Sequence, residues 1–281
     1  MIRIITDSAA DFSADELRQY GLTMVPLQVT FGEDTYEDGV TLTPDIFWSR
    51  IMAGENPKTS QPSPDAFLTV FEKAKAAGDS VLCVLLSSAL SGTVQSATLA
   101  RSMADYDDIH IVDSLQAATA QKMLVLRACQ LRDEGRLSAA EAAEALRSFT
   151  KRIKLYACLD TLDYLARGGR IPQAAASLGS LVQLKVIVHI TEDGKVGMAG
   201  KDMGLHRVSA AAIKLAQQHQ IDTSFPVLPL YTHSPENCQS FVKKLNQAGI
   251  ACREEDAMPV GATIGTHVGP GVFGLVLVEA E

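Results

Sequence analysis

The chain has 281 residues, 47% of them apolar, and sets 33 acidic side chains against 25 basic ones for a formal charge of −8. This length allows one large or two medium domains with ample core, and the acidic balance excludes the basic stripe of a nucleic-acid surface. No run of 18 apolar residues occurs, so no membrane-spanning helix is expected.

Ile2–Thr6 reads as a first strand and not as the apolar core of a signal peptide, which makes a cytoplasmic location the expectation. Ser13-Ala14-Asp15-Glu16 is a capping box opening a short helix. Met24–Phe31 reads as one strand, Phe31–Tyr36 as a turn, and Thr43-Pro44 as the start of a helix to about Met52. Next comes the hydroxyl cluster Thr59-Ser60-Gln61-Pro62-Ser63-Pro64. Ser63-Pro64 has the form of an N-cap with proline at the first helical position, ahead of a helix over Ala66–Ala77. Thr59 and Ser60 are left without a structural duty.

The run Ser80–Leu86 is continuously apolar, as in a buried parallel strand, and Val94–Met103 suits a helix. Between them lies Ser87-Ser88-Ala89-Leu90-Ser91-Gly92-Thr93, a hydroxyl-rich turn. Free N–H groups at a helix N-terminus favour an anion, and the hydroxyls add donors; the alternative is that the serines only cap the helix. Ile109–Val112, a long helix from about Ala117 to Glu134 and a second capping box at Ser138-Ala139-Ala140-Glu141 continue the alternation. This pattern predicts an α/β layer with a parallel sheet. Such sheets bind ligands beyond the carboxyl ends of their strands, where three polar tags fall: Asp7-Ser8, Ser87–Thr93 and Asp113-Ser114.

The second half changes character. Leu155–Leu159 is a strand, and the Gly168-Gly169 turn is flanked by Arg167 and Arg170. Lys185–Thr191 and Lys195–Ala199 form a hairpin around Asp193-Gly194. Ser209–Gln220 reads as a helix, Val227–Thr232 as a strand, Glu236–Gln247 as a helix, and Leu275–Glu279 as the last strand, with His267 embedded in the glycine-rich Gly261–Gly274. A boundary near residue 160 divides the chain into an N-terminal α/β domain, 1–160, and a C-terminal α/β (α+β) domain, 161–281.

Several chemistries find no support. The five cysteines lack C-x-x-C spacing and the six histidines lack H-x-x-x-H, so no metal site or disulfide framework is expected. Neither G-x-G-x-x-G after a strand nor a P-loop is present. The nucleophile elbow G-x-S-x-G is absent, although Ser91 with His267 and an aspartate, Asp7 or Asp113, stays open as a serine-type acyl hydrolase.

Taken together, Thr6-Asp7-Ser8, Thr59-Ser60-Gln61-Pro62-Ser63, Ser88-Ala89-Leu90-Ser91-Gly92-Thr93, Asp113-Ser114, Leu162-Asp163-Tyr164-Leu165 with Gly168-Gly169-Arg170-Ile171, and Ile264-Gly265-Thr266-His267 with Gly269-Pro270-Gly271 resemble the DegV family in content and order. The resemblance implies a two-domain α/β protein that holds a long-chain fatty acid, such as palmitate, between its domains and has no other cofactor. It implies that Thr59 and Ser91 bind the carboxylate with His267 nearby. Ser60, Gly92, Thr93, Asp7, Ser8, Asp113 and Ser114 are the supporting positions, and Arg170 and Arg207 are candidate partner contacts. It further implies a non-catalytic role, in lipid transport or as the acyl-carrying subunit that presents the carboxylate to a separate ATP-binding fatty acid kinase. The chain departs from the family pattern at Ala118-Thr119-Ala120-Gln121-Lys122, where small residues are usual, at Val186, and in a thin basic segment of Lys201, His206 and Arg207.

Overall fold

The computed structural model describes residues 1–172 and 184–281. In chain order the first part builds β1 (Ile2–Asp7), α1 (Ala14–Tyr20), β2 (Leu22–Val25), β3 (Gln28–Phe31), β4 (Asp34–Glu37), α2 (Pro44–Met52), β5 (Lys58–Ser60), α3 (Pro64–Ala77), β6 (Ser80–Leu85), α4 (Thr93–Ala104), β7 (Ile109–Asp113), α5 (Ala118–Glu134) and α6 (Ala139–Phe149). The second part holds β8 (Ile153–Leu159), α7 (Asp163–Arg167), β9 (Leu184–Ile190), β10 (Val196–Met203), α8 (Gly204–Ala216), β11 (Leu228–Tyr231), α9 (Glu236–Gln247), β12 (Met258–Pro259), α10 (Ala262–Val268) and β13 (Phe273–Val278).

The expected parallel sheet is present, in the order β2-β1-β6-β7, with every pairing parallel. Its two inner strands, β1 and β6, are buried on both faces over most of their length, which explains the continuous apolar character of Ser80–Leu86. Ile5, Val81, Cys83 and Leu85 meet Phe67, Phe71 and Ala97 of α3 and α4 on one side. Ile4, Leu82 and Val84 meet Leu124, Ala128 and Leu146 of α5 and α6 on the other. Ser13 and Ser138 form the two capping boxes, and Ser63 caps α3 with Pro64 in its first turn.

Two local readings change. Met24–Phe31 is two strands, because Val25 ends β2 in the parallel sheet and β3 belongs to a separate antiparallel sheet, ordered β4-β3-β5. Pro26 between them removes a ladder donor, which suits a strand break. The turn expected over Phe31–Tyr36 is shorter: Gly32 and Glu33 form the bend of the β3–β4 hairpin, and Asp34–Tyr36 already pair with β3 in β4. Thr59 and Ser60 do have a structural duty, since β5 pairs with β3 through Val29↔Thr59 and Gln28↔Ser60.

A second sheet runs β10-β9-β8-β13-β11-β12; it is antiparallel except for the β11–β12 pair. One face is covered by α8 and α9, where Val208, Ala212, Phe241 and Leu245 pack on Cys158, Ile187 and Leu275. The helix expected over Ser209–Gln220 starts earlier, at Gly204, and ends at Ala216. β8 pairs with β13 and β9 of this sheet, so the changeover between the two large sheets falls between β7 and β8, ahead of residue 160. The other face turns toward the first unit, and Leu155, Ala157, Val186 and Val276 join α5 and α6 in one continuous core.

The β9–β10 hairpin forms as expected, and its tip is pinned to the first unit. Ser87 Oγ donates to Gly194 O at 2.8 Å, buried from solvent. Gly194 has φ +78°, and a side chain there would collide with that hydroxyl and press on Leu115. Gly194→Ala is expected to cost about 1–3 kcal/mol of stability, read by urea unfolding.

Candidate functional site

β5 and α10 bring the two ends of the sequence together. α10 lies across the small sheet, wedged against α2: a Cβ on Gly265 would strike Phe47 and press on Trp48, so only glycine lets the helix sit this close. Its N-terminus is held by two acids, the buried Asp38 and the partly buried Asp11. Asp38 Oδ2 accepts from Thr263 N at 3.2 Å and Thr263 Oγ1 at 2.6 Å, and Asp11 Oδ1 accepts from Gly261 N at 2.9 Å. The last turn of α10 then presents His267, whose Nε2 lies 2.8 Å from Thr59 Oγ1. A proton on Nε2 makes the ring the donor and leaves the Thr59 hydroxyl proton free to point elsewhere. Nδ1 is buried, has no partner among the described residues, and faces the bare backbone of Gly168.

The hydroxyl-rich turn supplies the second donor group. Ser91 Oγ lies 2.9 Å from the buried Thr93 hydroxyl, at the start of α4. The N-cap of that helix is Gly92, with no side-chain cap bond, so Ser87, Ser88 and Ser91 do not serve as its caps. Gly92 also makes room for the Gln61 amide, whose Nε2 reaches Ser96 Oγ at 3.2 Å.

The third group is Arg170. Its Nε and Nη2 donate to Leu90 O at 3.1 and 3.0 Å, and Nη1 donates to Gly168 O. The guanidinium is half-buried, burial is what lowers its pKa, and no carboxylate among the described residues offsets that cost. Its charge adds to burial in holding His267 down at about 4. The imidazole is therefore neutral near pH 7.

Thr59, Ser91, Arg170 and His267 stand at one end of a cavity of about 330 Å³, which falls within the range of small-molecule sites. Apart from Ser60, Gln61 and Thr263, the rest of its wall is apolar and comes from both units: Leu27, Leu86 and Leu90 from the first, Leu155, Ala157, Val188, Ile190 and Leu230 from the second. Ser60 and Gly92 also line it. An apolar tunnel with donors and a cation at one end matches an anionic head on a hydrocarbon tail.

The strand-end tags do converge, because β1, β6 and β7 are neighbours, but they act behind the wall. Asp7 accepts from Leu86 N at 2.7 Å, Ala9 N at 3.0 Å and Gln121 Nε2 at 3.0 Å. Ser8 Oγ accepts from Leu27 N at 3.0 Å. Asp113 Oδ1 accepts from Ser88 N and Leu115 N, and Ser114 Oγ bridges the Gln116 backbone. These four residues set the loops that carry Leu27, Leu86 and the Ser87–Thr93 turn; none of them lines the cavity. Arg207 is not brought to it either: it lies exposed on α8, with Nε donating to Met203 O and pairing with Asp202. Gln61 and Thr263 are polar wall residues that sequence reasoning passed over. Gln121 and Lys122, two of the family departures, are buried and employed, the first on Asp7 and the second in a 2.7 Å ion pair with Glu16.

The hydrolase geometry is not formed. Ser91 bonds Thr93 and not His267, His267 Nε2 is taken by Thr59, and neither Asp7 nor Asp113 reaches Nδ1.

The depressed His267 has a measurable consequence. A group held below its ordinary value of 6.5 contributes stability that is full above that value and is lost as pH falls to about 4, a loss of about 3 kcal/mol. Asp7 runs the other way: burial pushes it up to about 6, so its contribution is full below 3.8 and is lost as pH rises through 6. The His267→Gln variant should therefore keep about 2–3 kcal/mol more of its pH 7 stability at pH 4.5 than the natural chain does. Denaturant titrations of both proteins at the two pH values check this.

The whole chain, residues 1–280, matches the family described as uncharacterised protein, DegV family. Among solved structures, a fatty-acid-binding DegV family protein from Thermus thermophilus is 30% identical, covers 99% of both chains and superposes with a TM-score of 0.86. A stearic acid-binding protein from Eubacterium ventriosum is 27% identical, with 99% of this chain and 98% of that one covered and a TM-score of 0.87. The Fatty Acid Kinase (Fak) B3 protein of Streptococcus pneumoniae, loaded with linoleic acid, shares the fold at 23% identity, with full coverage of both chains and a TM-score of 0.84.

Proposed function

Because the chain belongs to the DegV family, we propose that it binds a long-chain fatty acid in the cavity between its two large sheets. The carboxylate sits among Thr59 Oγ1, Ser91 Oγ and the Arg170 guanidinium, with His267 orienting the Thr59 hydroxyl. The observation that carries this reading is a half-buried arginine, with no carboxylate partner among the described residues, on the wall of a largely apolar cavity. Desolvated, such a cation is costly alone and favourable once a carboxylate arrives. The tail supplies most of the affinity, at roughly 0.8 kcal/mol per buried methylene, before the costs of immobilisation.

Presentation of that carboxylate to a separate kinase is the role the fold likeness to the Fak B3 protein supports. In support of that role, Thr59, Arg170 and His267 also line a second pocket. The same donors would serve a lipid-transport role, and palmitate is the natural first ligand to try.

Extraction of the purified protein with organic solvent, followed by mass spectrometry beside native mass spectrometry of the intact chain, tests the reading. A stoichiometric fatty acid is the expected result. An empty protein that also fails to take up palmitate or oleate overturns it.

A further inference from the structure

Two carboxyls converge on the start of α10, one turn before His267. A Cβ on Gly261 would lie 2.6 Å from Asp11 Oδ1 and 3.8 Å from Asp38 Oδ1. Asp38 Oδ2 takes both Thr263 donors, and Asp11 Oδ1 takes Gly261 N. Asp11 reaches that amide from a left-handed backbone, φ +55°, at the end of the turn after β1. Its Oδ2 is shut off from solvent and has no hydrogen-bond partner among the described residues. Thr263, Ile264 and His267 all line the cavity, so this latch sets where that part of the wall stands.

The charges around the latch are unbalanced. Asp7 at the end of β1 and Asp38 just after β4 are both acids that act on Asp11. The cation facing it is Lys122 of α5, which donates to Asp11 O at 3.2 Å but is already paired with Glu16 of α1 at 2.7 Å. α10 itself brings only His267, at its far end and neutral near pH 7. Burial and the Asp38 charge push the Asp11 carboxyl well above the ordinary carboxylate range, and Lys122 offsets only part of this. Burial pushes Asp38 up as well.

Resting on the fatty-acid reading, we infer that Asp11 and Asp38 are positioning residues, which hold His267 on Thr59 through α10 only while one of the two carboxyls keeps a proton. With both ionised, like charges repel in a place where water does not screen them, and Gly261 and Thr263 move with their acceptors. The helix is only about two turns long, so a shift at its start reaches His267 and the Thr59 hydroxyl. Linkage makes the effect reciprocal: a ligand that needs His267 in place strengthens the hold on the proton.

Displacement of a fluorescent fatty acid by palmitate, followed from pH 7 to 9.5, tests this. Palmitate is ionised throughout that range, so a change in affinity belongs to the protein. The natural chain should lose about fivefold or more in affinity as pH rises. Asp11→Asn keeps an oxygen for Gly261 N and cannot ionise. It should bind within about threefold of the natural chain at pH 7 and lose less than about twofold by pH 9.5. Lys122→Met removes the cation that favours ionised Asp11, so the fall should move to higher pH. That direction decides the matter alone if Asp11→Asn does not fold. A merely structural latch would weaken the variants alike at every pH. A flat profile in the natural chain, an equal fall in Asp11→Asn, or a fall that stays put or moves to lower pH in Lys122→Met each overturns the inference. A natural chain that binds no palmitate at any pH removes the fatty-acid reading, and this one with it.

Discussion

Replacing Gly168 with alanine should abolish tight fatty acid binding without adding or removing any polar group. A Cβ at this position falls well inside contact distance of His267 Nδ1 and Cε1 and presses on Tyr164 O. Gly168 has φ −72°, so alanine suits the backbone and the whole effect passes through the imidazole. The ring has nowhere to retreat, because α10 is wedged against Phe47 and Trp48 by Gly265. Displaced, it loses Thr59, and the Thr59 hydroxyl loses its orientation. Losing one aligned hydroxyl and crowding the head group should cost about 2–4 kcal/mol, some thirty- to thousandfold in Kd. A displacement assay with a fluorescent fatty acid measures it. Affinity within threefold of the natural chain would show that His267 does not position the carboxylate donors.

Arg170→Met should weaken binding by about 1.5–3 kcal/mol, roughly ten- to hundredfold, through loss of the charged partner of the carboxylate. The sign of its effect on the ligand-free protein discriminates further. A guanidinium desolvated without a counter-ion is a cost that methionine removes, whereas the bonds to Leu90 O and Gly168 O are a gain that methionine forfeits. The free protein should thus change little in stability, while the thermal shift produced by palmitate shrinks. A large destabilisation of the free protein with an unchanged palmitate shift would make Arg170 a fastener of the Gly168 turn only.

Much of this was legible in the chain itself. The parallel sheet, its capping boxes and the Ser87–Thr93 turn follow from local rules: an apolar run buried on both faces, a hydroxyl three residues before a glutamate, a glycine where a helix begins. The pairing of Thr59 with His267 is not local. It spans 208 positions and depends on α10 crossing the small sheet, which no periodicity encodes. The strand-end tags illustrate the opposite limit. Asp7, Ser8, Asp113 and Ser114 read as site residues because strand ends are where ligands bind, yet each is consumed by backbone amides or carbonyls of the loops beside it. Composition does not separate a polar residue that faces a ligand from one that holds the loop facing it. Arg170 was visible as a charge beside a glycine turn, but that no carboxylate among the described residues pairs with it appears only once the chain is folded.

β8 starts at Ile153 and lies deep in the second sheet, while its inner face shares one core with α5 and α6 of the first. A fragment ending near residue 160 would carry a central strand stripped of both neighbours, and a fragment starting there would lack the strand its sheet is built around. Neither half is a separable module, so heat or urea should melt the whole chain in one concerted step, with fluorescence and circular dichroism tracing the same curve. A ligand lodged at the seam would raise that single midpoint for the whole molecule at once. Any path for loading must then be a local opening, because a hinge through the seam would have to tear the common core apart.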